Sequence, residues 1–258
     1  MTSVNVNRFQ DFFENDRYVT LKNYLYNYLL RKRAVEKVMR SEKKEIVLEI
    51  GSGISPVLTS WENVVYTDLS ASALDMLKKI HGKGQYVVAD AMKLPFDDRC
   101  FSHVISSEVF EHLEDDRKAL MEIARVIKPD GTLIVTFPHR HFYFSHDDRY
   151  VNHYRRYELS EMISLLDEAG FRTEYVRKVL GPLEKITMMV VTICASCLDR
   201  WKGKGDVKEK QKNPDGVVVK LFQLVNKLYA GIAWLDAFIM PRALSAVLLI
   251  KAKKKQSS

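Results

Sequence analysis

The chain has 258 residues, 47% of them hydrophobic, which suits one large domain or one domain carrying an insertion and excludes a disordered or fibrous protein. The formal net charge of +7 is gathered in runs such as Arg31–Arg33, Lys202–Lys212 and Lys251–Lys255. Clustered cations beside apolar segments suit an anionic membrane surface or a phosphate-bearing small molecule better than nucleic-acid reading, so no nucleic-acid partner is expected. Among three cysteines, Cys194 and Cys197 form a lone CxxC with no second pair to complete a zinc site. The N-terminal residues lack the apolar stretch of a signal peptide, and the expected location is cytoplasmic, with peripheral membrane contact as an open alternative.

In chain order, residues 8–40 place Phe9, Phe12, Phe13, Tyr24 and Tyr28 at helical spacing, and an N-terminal helical segment is expected over 1–44. From Glu45 short β-rich runs alternate with helical ones: Ile46–Ile50, Val64–Thr67, Tyr86–Ala89, His103–Ser106 and Thr132–Phe137. That rhythm predicts a parallel sheet in a doubly wound α/β core spanning 45–180. Ser70 is the expected N-cap of a helix over Ala73–Ile80, Lys128–Gly131 a turn closing a helix over Arg117–Ile127, and Gly170 the stop of a helix over Leu159–Ala169. Strands are expected at Arg172–Leu180 and Leu244–Lys251.

Residues 181–243 exceed an ordinary connection and read as a helical insertion, either a lid or a membrane-facing element, before the last strand and basic tail of 244–258. Its apolar runs are Ile186–Leu198, too short for a bilayer, and Leu228–Ile250, broken by Asp236, Pro241 and Arg242. Neither run is expected to cross a membrane. Lys202–Gly216 reads as a polar linker between them.

Glu49-Ile50-Gly51-Ser52-Gly53 falls where the first strand ends, and its glycines permit a sharp turn and a close ligand approach. Asp68 ends the second strand, where a carboxylate can accept from both hydroxyls of a ribose. Asp90 ends the third, beside Ala91 and Met92, a position that suits an adenine amino group. Because strand ends of a parallel sheet share one edge, these residues outline an adenosine site. The competing reading, that Asp68 and Asp90 merely cap helices, holds better for either one alone than for both together with the glycines.

The ordered motifs Leu48–Gly53, Asp68-Leu69-Ser70, Ala89-Asp90-Ala91, Ser107–Leu113 and Leu133–Pro138 resemble those of class I S-adenosylmethionine (SAM)-dependent methyltransferases, notably the broad group that includes quinone-biosynthesis and glycan- and lipid-pathway enzymes. The resemblance implies a seven-stranded sheet with its last strand antiparallel. It implies that Glu49, Gly51 and Gly53, with Ser52, line the methionine and ribose side of SAM. Asp68 with Leu69 would hold the ribose, Asp90 with Ala91 and Met92 would frame adenine, and Ser107 would lie beside the methyl donor. The implied reaction is methyl transfer to oxygen or carbon of a small, lipophilic or lipid-linked acceptor. A nicotinamide dehydrogenase shares the sheet, but Pro56 stands where its fingerprint needs a third glycine. A non-catalytic partner subunit is the remaining alternative.

His112 is the candidate base nearest the expected methyl donor, against a packing role. Glu108, Glu111 and His112 also offer donor atoms to a divalent ion, but their spacing is not diagnostic and no metal is assigned. Glu108 and His139, with His153, Arg155, Arg156 and Tyr157, are expected to bind the acceptor, the arginines through a carboxylate or phosphate. The equal alternative is an ion-paired loop fixed by Asp147, Asp148 and Glu158.

Overall fold

The structure, a computed structural model, describes residues 21–43, 45–202 and 216–256. The expected amphipathic stretch before residue 21 and most of the expected linker, 203–215, lie outside the described residues. In chain order the elements are α1 (Tyr26–Met39), β1 (Val47–Ile50), β2 (Val64–Asp68), α2 (Ala71–His81), β3 (Gln85–Val88), β4 (Phe101–Ser107), α3 (Asp116–Val126), β5 (Ile127–Pro138), α4 (His146–Tyr150), α5 (Leu159–Glu168), β6 (Phe171–Leu180), α6 (Pro182–Lys202), α7 (Gly216–Ile239) and β7 (Val247–Lys254). Single 3₁₀ turns sit at Phe110–His112, His141–Tyr143 and Arg242–Leu244.

One sheet carries all seven strands in the order β3-β2-β1-β4-β5-β7-β6. The pairs β1 with β2, β1 with β4, β2 with β3 and β4 with β5 are parallel, while β7 runs antiparallel to both β5 and β6. The strand order reverses direction at β1, so the crevice at the carboxyl ends of β1 and β4 is the ligand edge of the fold.

Alternation along the strands sorts the core into two layers, because successive side chains point to opposite faces. Leu48, Ile50, Val104, Leu133, Val135, Leu248 and Ile250 meet Leu120 and Ile123 of α3 and Met162 and Leu166 of α5. On the other face Val47, Tyr66, Ile105, Ile134 and Leu249 meet Val35 and Met39 of α1, Leu74 and Leu77 of α2, and Ala233 of α7.

Local signals account for the element boundaries. Ser70 Oγ accepts from Ala73 N at 3.2 Å, the capping bond expected of it, and Gly170 leaves α5 at φ +83°. Two expectations are corrected. Lys128–Gly131 is not a free-standing turn: these residues begin the long β5, with Asp130 at φ +59° taking up the bend, because Ile127 already pairs with Phe101 across the sheet. The second apolar segment starts earlier than Leu228, and α7 is long and apolar enough to cross a membrane by length and composition. Asp236, which broke the apolar run in the sequence, turns inward to accept from Leu183 N at 3.0 Å, and Pro241 falls just past the helix end.

Candidate active site at the carboxyl edge of the sheet

The turn after β1 is set by Gly51 and Gly53, both in the left-handed region at φ +66° and +51°. A Cβ on Gly51 would meet Val109 Cγ2 at 2.5 Å, so glycine is required there both by conformation and by space. Ser52 donates its N–H to Thr67 O at 3.0 Å, tying the turn to β2. Asp68 closes the turn from the other side: Oδ2 accepts from Gly53 N and Oδ1 from Ser70 N, each at 2.9 Å. Burial raises the Asp68 pKa against the pull of these N–H groups, and Lys22 lies close enough for its charge to favour the carboxylate. Burial and the Arg31 charge push Lys22 down to about 8, with Asp68 opposing them.

Asp90 Oδ1 accepts from Met92 N at 2.8 Å, which folds Ala91 and Met92 back beside the end of β3. Ser107 Oγ shares a 2.8 Å hydrogen bond with Thr136 Oγ1 at the ends of β4 and β5. The backbone then turns through Glu108 at φ +55°, and Glu108 meets Arg31 of α1 at 3.3 Å.

Beyond this turn lies a polar cluster around a buried carboxyl. Glu111 is completely buried, its carboxyl oxygens have no hydrogen-bond partner, and burial followed by repulsion from Glu108 raises its pKa well above the usual range. The rings of His112 and His153 meet edge to face with centroids 4.6 Å apart. Together Glu111, His112 and His153 bring three potential ligand atoms within 4.8 Å of one another. His153 Nδ1 donates to Asp148 Oδ1 at 3.0 Å, which turns Nε2 toward Glu111 Oε1, 3.8 Å away. Asp148 also accepts from Arg156 Nε at 2.7 Å and from Lys185 Nζ at 2.7 Å. Burial would raise the Asp148 pKa, but His153, Arg156 and Lys185 outweigh it and hold the group well below the ordinary carboxylate range.

Several expected site residues have other duties. The Glu49 carboxylate accepts from Val57 N at 2.6 Å and Leu58 N at 3.1 Å, and burial pushes its pKa up to about 8. His139 is buried, donating from Nδ1 to Ser245 O at 2.9 Å, and burial lowers its pKa. Arg155 donates to Asp116 Oδ2 and Glu114 O, and the Tyr157 hydroxyl to Asp116 Oδ2 at 2.7 Å. Arg156 is held by Asp148. The Arg155-Arg156-Tyr157 run is thus ion-paired to Asp116 and Asp148, while Glu158 takes Arg140. Each arginine engages two of its guanidinium nitrogens inside the protein, Arg155 on Asp116 and Glu114 and Arg156 on Asp148 and His139.

Lys22, Arg31 and Lys185 were not legible as site residues. Arg31 sat in a cationic run that reads as solvated surface, and Lys22 carries no local signal. The adjacent Glu184 and Lys185 at the head of an apolar segment were a signal, because charges that enter a core need partners.

Residues 48–135 match the family described as a methyltransferase domain. A Thermotoga maritima demethylmenaquinone methyltransferase is 30% identical over 41% of this chain and 48% of its own length. An uncharacterised protein of Methanocaldococcus jannaschii is 29% identical over 64% of this chain and 72% of its own. Residues 48–135 are those of a SAM-dependent methyltransferase domain. The fold agrees over a longer span. A solved Thermotoga maritima SAM-dependent methyltransferase, described as a possible histamine N-methyltransferase, superposes with a TM-score of 0.63 at 17% identity over 97% of this chain and all of that one. The chain spans less than half the length of the demethylmenaquinone methyltransferase it matches.

The edge of this methyltransferase domain fits SAM. The Gly51–Gly53 turn leaves backbone uncovered by Cβ atoms, Asp68 closes that turn at the end of the neighbouring strand, and no phosphate-binding third glycine is present because Pro56 occupies that position. The residues that would hold SAM are Gly51, Ser52 and Gly53 with Asp68 and Leu69, then Asp90 with Ala91 and Met92, and Ser107 toward the methyl end.

Proposed function

We propose that the whole chain is a cytoplasmic methyltransferase that moves the SAM methyl group to oxygen or carbon of a small lipophilic acceptor, of the quinone or lipid-precursor class. The observation that carries this reading is the Glu111, His112 and His153 cluster placed just beyond Ser107, on the edge where the SAM-binding turn lies. SAM supplies an electrophilic methyl on a sulfonium, so transfer is an in-line displacement whose rate depends on alignment and on removal of the acceptor's proton.

The chain's own residues supply both. The Gly51–Gly53 turn and Asp68 fix one reactant against the sheet edge. His112 is the base, taking the proton from an acceptor hydroxyl or acidic carbon, and His153 stands beside it with its tautomer set by Asp148. Burial and the neighbouring Glu108 raise the Glu111 pKa, which disfavours a negative charge beside the two imidazoles. A lipophilic acceptor is supported by the apolar α6 and α7 helices that follow the core and by the quinone substrate in the name of the Thermotoga maritima relative.

The test is titration calorimetry with SAM and NAD, followed by radiolabelled methyl transfer to quinone and lipid-precursor panels. SAM binding that weakens at least tenfold in Asp68→Ala, with label entering an organic-phase product, is the expected result. NAD binding without SAM binding overturns the cofactor. SAM binding with label appearing only in water-soluble acceptors overturns the lipophilic assignment.

A further inference from the structure

We infer that the outer face of α6 and α7 is a membrane-docking surface, which lies in the plane of an anionic lipid bilayer with its apolar side chains among the acyl chains. The α7 helix shows its apolar residues to solvent rather than to the core. Val217, Leu221, Leu224, Leu228, Ile232 and Phe238 are all more than half exposed, with Leu228 at 64% and Phe238 at 68%. From α6, Ile186, Val190 and Val191 are exposed to a similar degree. A water-soluble surface rarely carries a continuous apolar band of this size without a partner.

The charges select the partner. The side chains described for α6 and α7 include two carboxylates, Glu184 and Asp236, and both are turned to the base of the hairpin: Glu184 accepts from Tyr26 and Asn27, Asp236 from Leu183 N. The exposed charges on α7 are Lys220 and Lys227, and the exposed Arg33 and Arg242 both stand toward its C-terminal end in the fold. Arg33 also lies over the ring of Trp234, 5.9 Å from its centroid. An apolar band with cations and no outward carboxylate among the described side chains complements anionic headgroups over acyl chains.

The anchoring of α7 decides between lying on a membrane and crossing it. At 24 residues the helix is roughly 36 Å long, enough to span a hydrocarbon core. Its inner side, however, is fixed lengthwise to the domain: Asn226, Ala233 and Ala237 are buried, Asn226 Oδ1 accepts from Tyr26 N at 3.2 Å, and Lys178 Nζ donates to Phe238 O at 3.0 Å and Met240 O. A helix held by α1 and β6 from Asn226 to its end lies against the domain rather than running through a bilayer, so its outer half is what it offers to lipid. The same hairpin reaches the active site, since Lys185 of α6 donates to Asp147 and Asp148 behind His153. Docking would thus bring the acceptor side of the pocket to the lipid phase, a consequence that rests on the proposed lipophilic acceptor; the docking itself does not.

The experiment is flotation of the full chain with vesicles of phosphatidylcholine containing one quarter phosphatidylglycerol, with pure phosphatidylcholine vesicles, and with neither. Expected is at least tenfold stronger binding to the anionic vesicles, part of it surviving raised salt because insertion is apolar. Leu221→Glu with Leu228→Glu should return binding to background while SAM affinity, measured by calorimetry, stays within twofold. Should that variant not fold, quenching of tryptophan emission by brominated lipid in the natural chain reports the same insertion, since Trp234 lies on α7. Absence of flotation or quenching overturns the inference, as does a stable dimer in light scattering that the two substitutions dissolve, which would assign the face to a second copy. Methyl transfer to detergent-solubilised acceptors without vesicles tests the functional reading separately.

Discussion

Lys185 Nζ stands 2.7 Å from Asp148 Oδ2, and both side chains are almost wholly excluded from solvent. A buried pair of this kind contributes little net stability over an apolar pair, but removing one partner strands the other charge. Asp148→Ala would strand Arg156 and the Nδ1 proton of His153 and leave Lys185 to Asp147 alone. The expected loss in denaturant unfolding is about 3–5 kcal/mol. Asp148→Asn combined with Lys185→Met should cost clearly less than the two single changes added, because they share one interaction. Strict additivity would show that the contact is not energetically coupled.

The cofactor turn gives a second prediction. Gly51→Ala introduces a Cβ into the side chain of Val109 at a backbone conformation that alanine adopts at a cost of about 1–2 kcal/mol. SAM affinity should fall by at least tenfold with the fold retained. Val109→Ala in the same chain should restore part of that affinity by clearing the space. If Gly51→Ala alone binds SAM normally, the turn is not the cofactor's cradle.

Stability should also depend on pH through Glu49. Its folded pKa, about 8, lies above the ordinary carboxylate value, so its contribution is complete below about 4.5 and is lost as pH rises toward 8. Unfolding free energy of the natural chain is expected to decline across that window, by up to roughly 1.4 kcal/mol per pH unit. Glu49→Gln should flatten the decline, and Glu111→Gln should do so in part. Asp148 acts in the opposite sense, its contribution fading only as pH falls toward its depressed value. Identical pH profiles for the natural chain and Glu49→Gln would remove Glu49 from this account.

For the chemistry, His112→Ala should lower kcat by about 10²–10⁴ on a true acceptor, the usual contribution of a positioned base. His153→Asn, which keeps a donor toward Asp148, should lower kcat less and shift the acidic limb of the pH profile. SAM affinity should survive in both. Unchanged turnover in His112→Ala would transfer the role to His153 or dispense with a base.

The sheet and its ligand edge were legible in the sequence because they rest on period-two alternation, glycine at left-handed positions and a capping serine, all of which are local. The strand-end positions of Asp68 and Asp90 were legible, and both carboxylates accept from backbone N–H groups of the turns that follow or face them. The partners a residue finds across the fold were not legible. Nothing local in the sequence announces that Asp116 and Asp148 pair with Arg155 and Arg156, or that Val57 and Leu58 donate to Glu49. Asp236 is of the same kind: in sequence it interrupts an apolar helix, but in space it caps the start of another.

The placement of β7 between β5 and β6 has a consequence for the order in which the domain can be assembled. While the chain emerges from a ribosome, the β5 edge has no neighbour on its outer side until residues 247–254 have been made, and β6 has no strand to pair with at all. The apolar α6–α7 hairpin is complete before that closing strand, so during synthesis the nascent chain carries an open sheet edge and an uncovered greasy helix pair together. Such a species is prone to aggregation in water. Early contact of the hairpin with lipid would shield one of those two liabilities while the last strand is still being added.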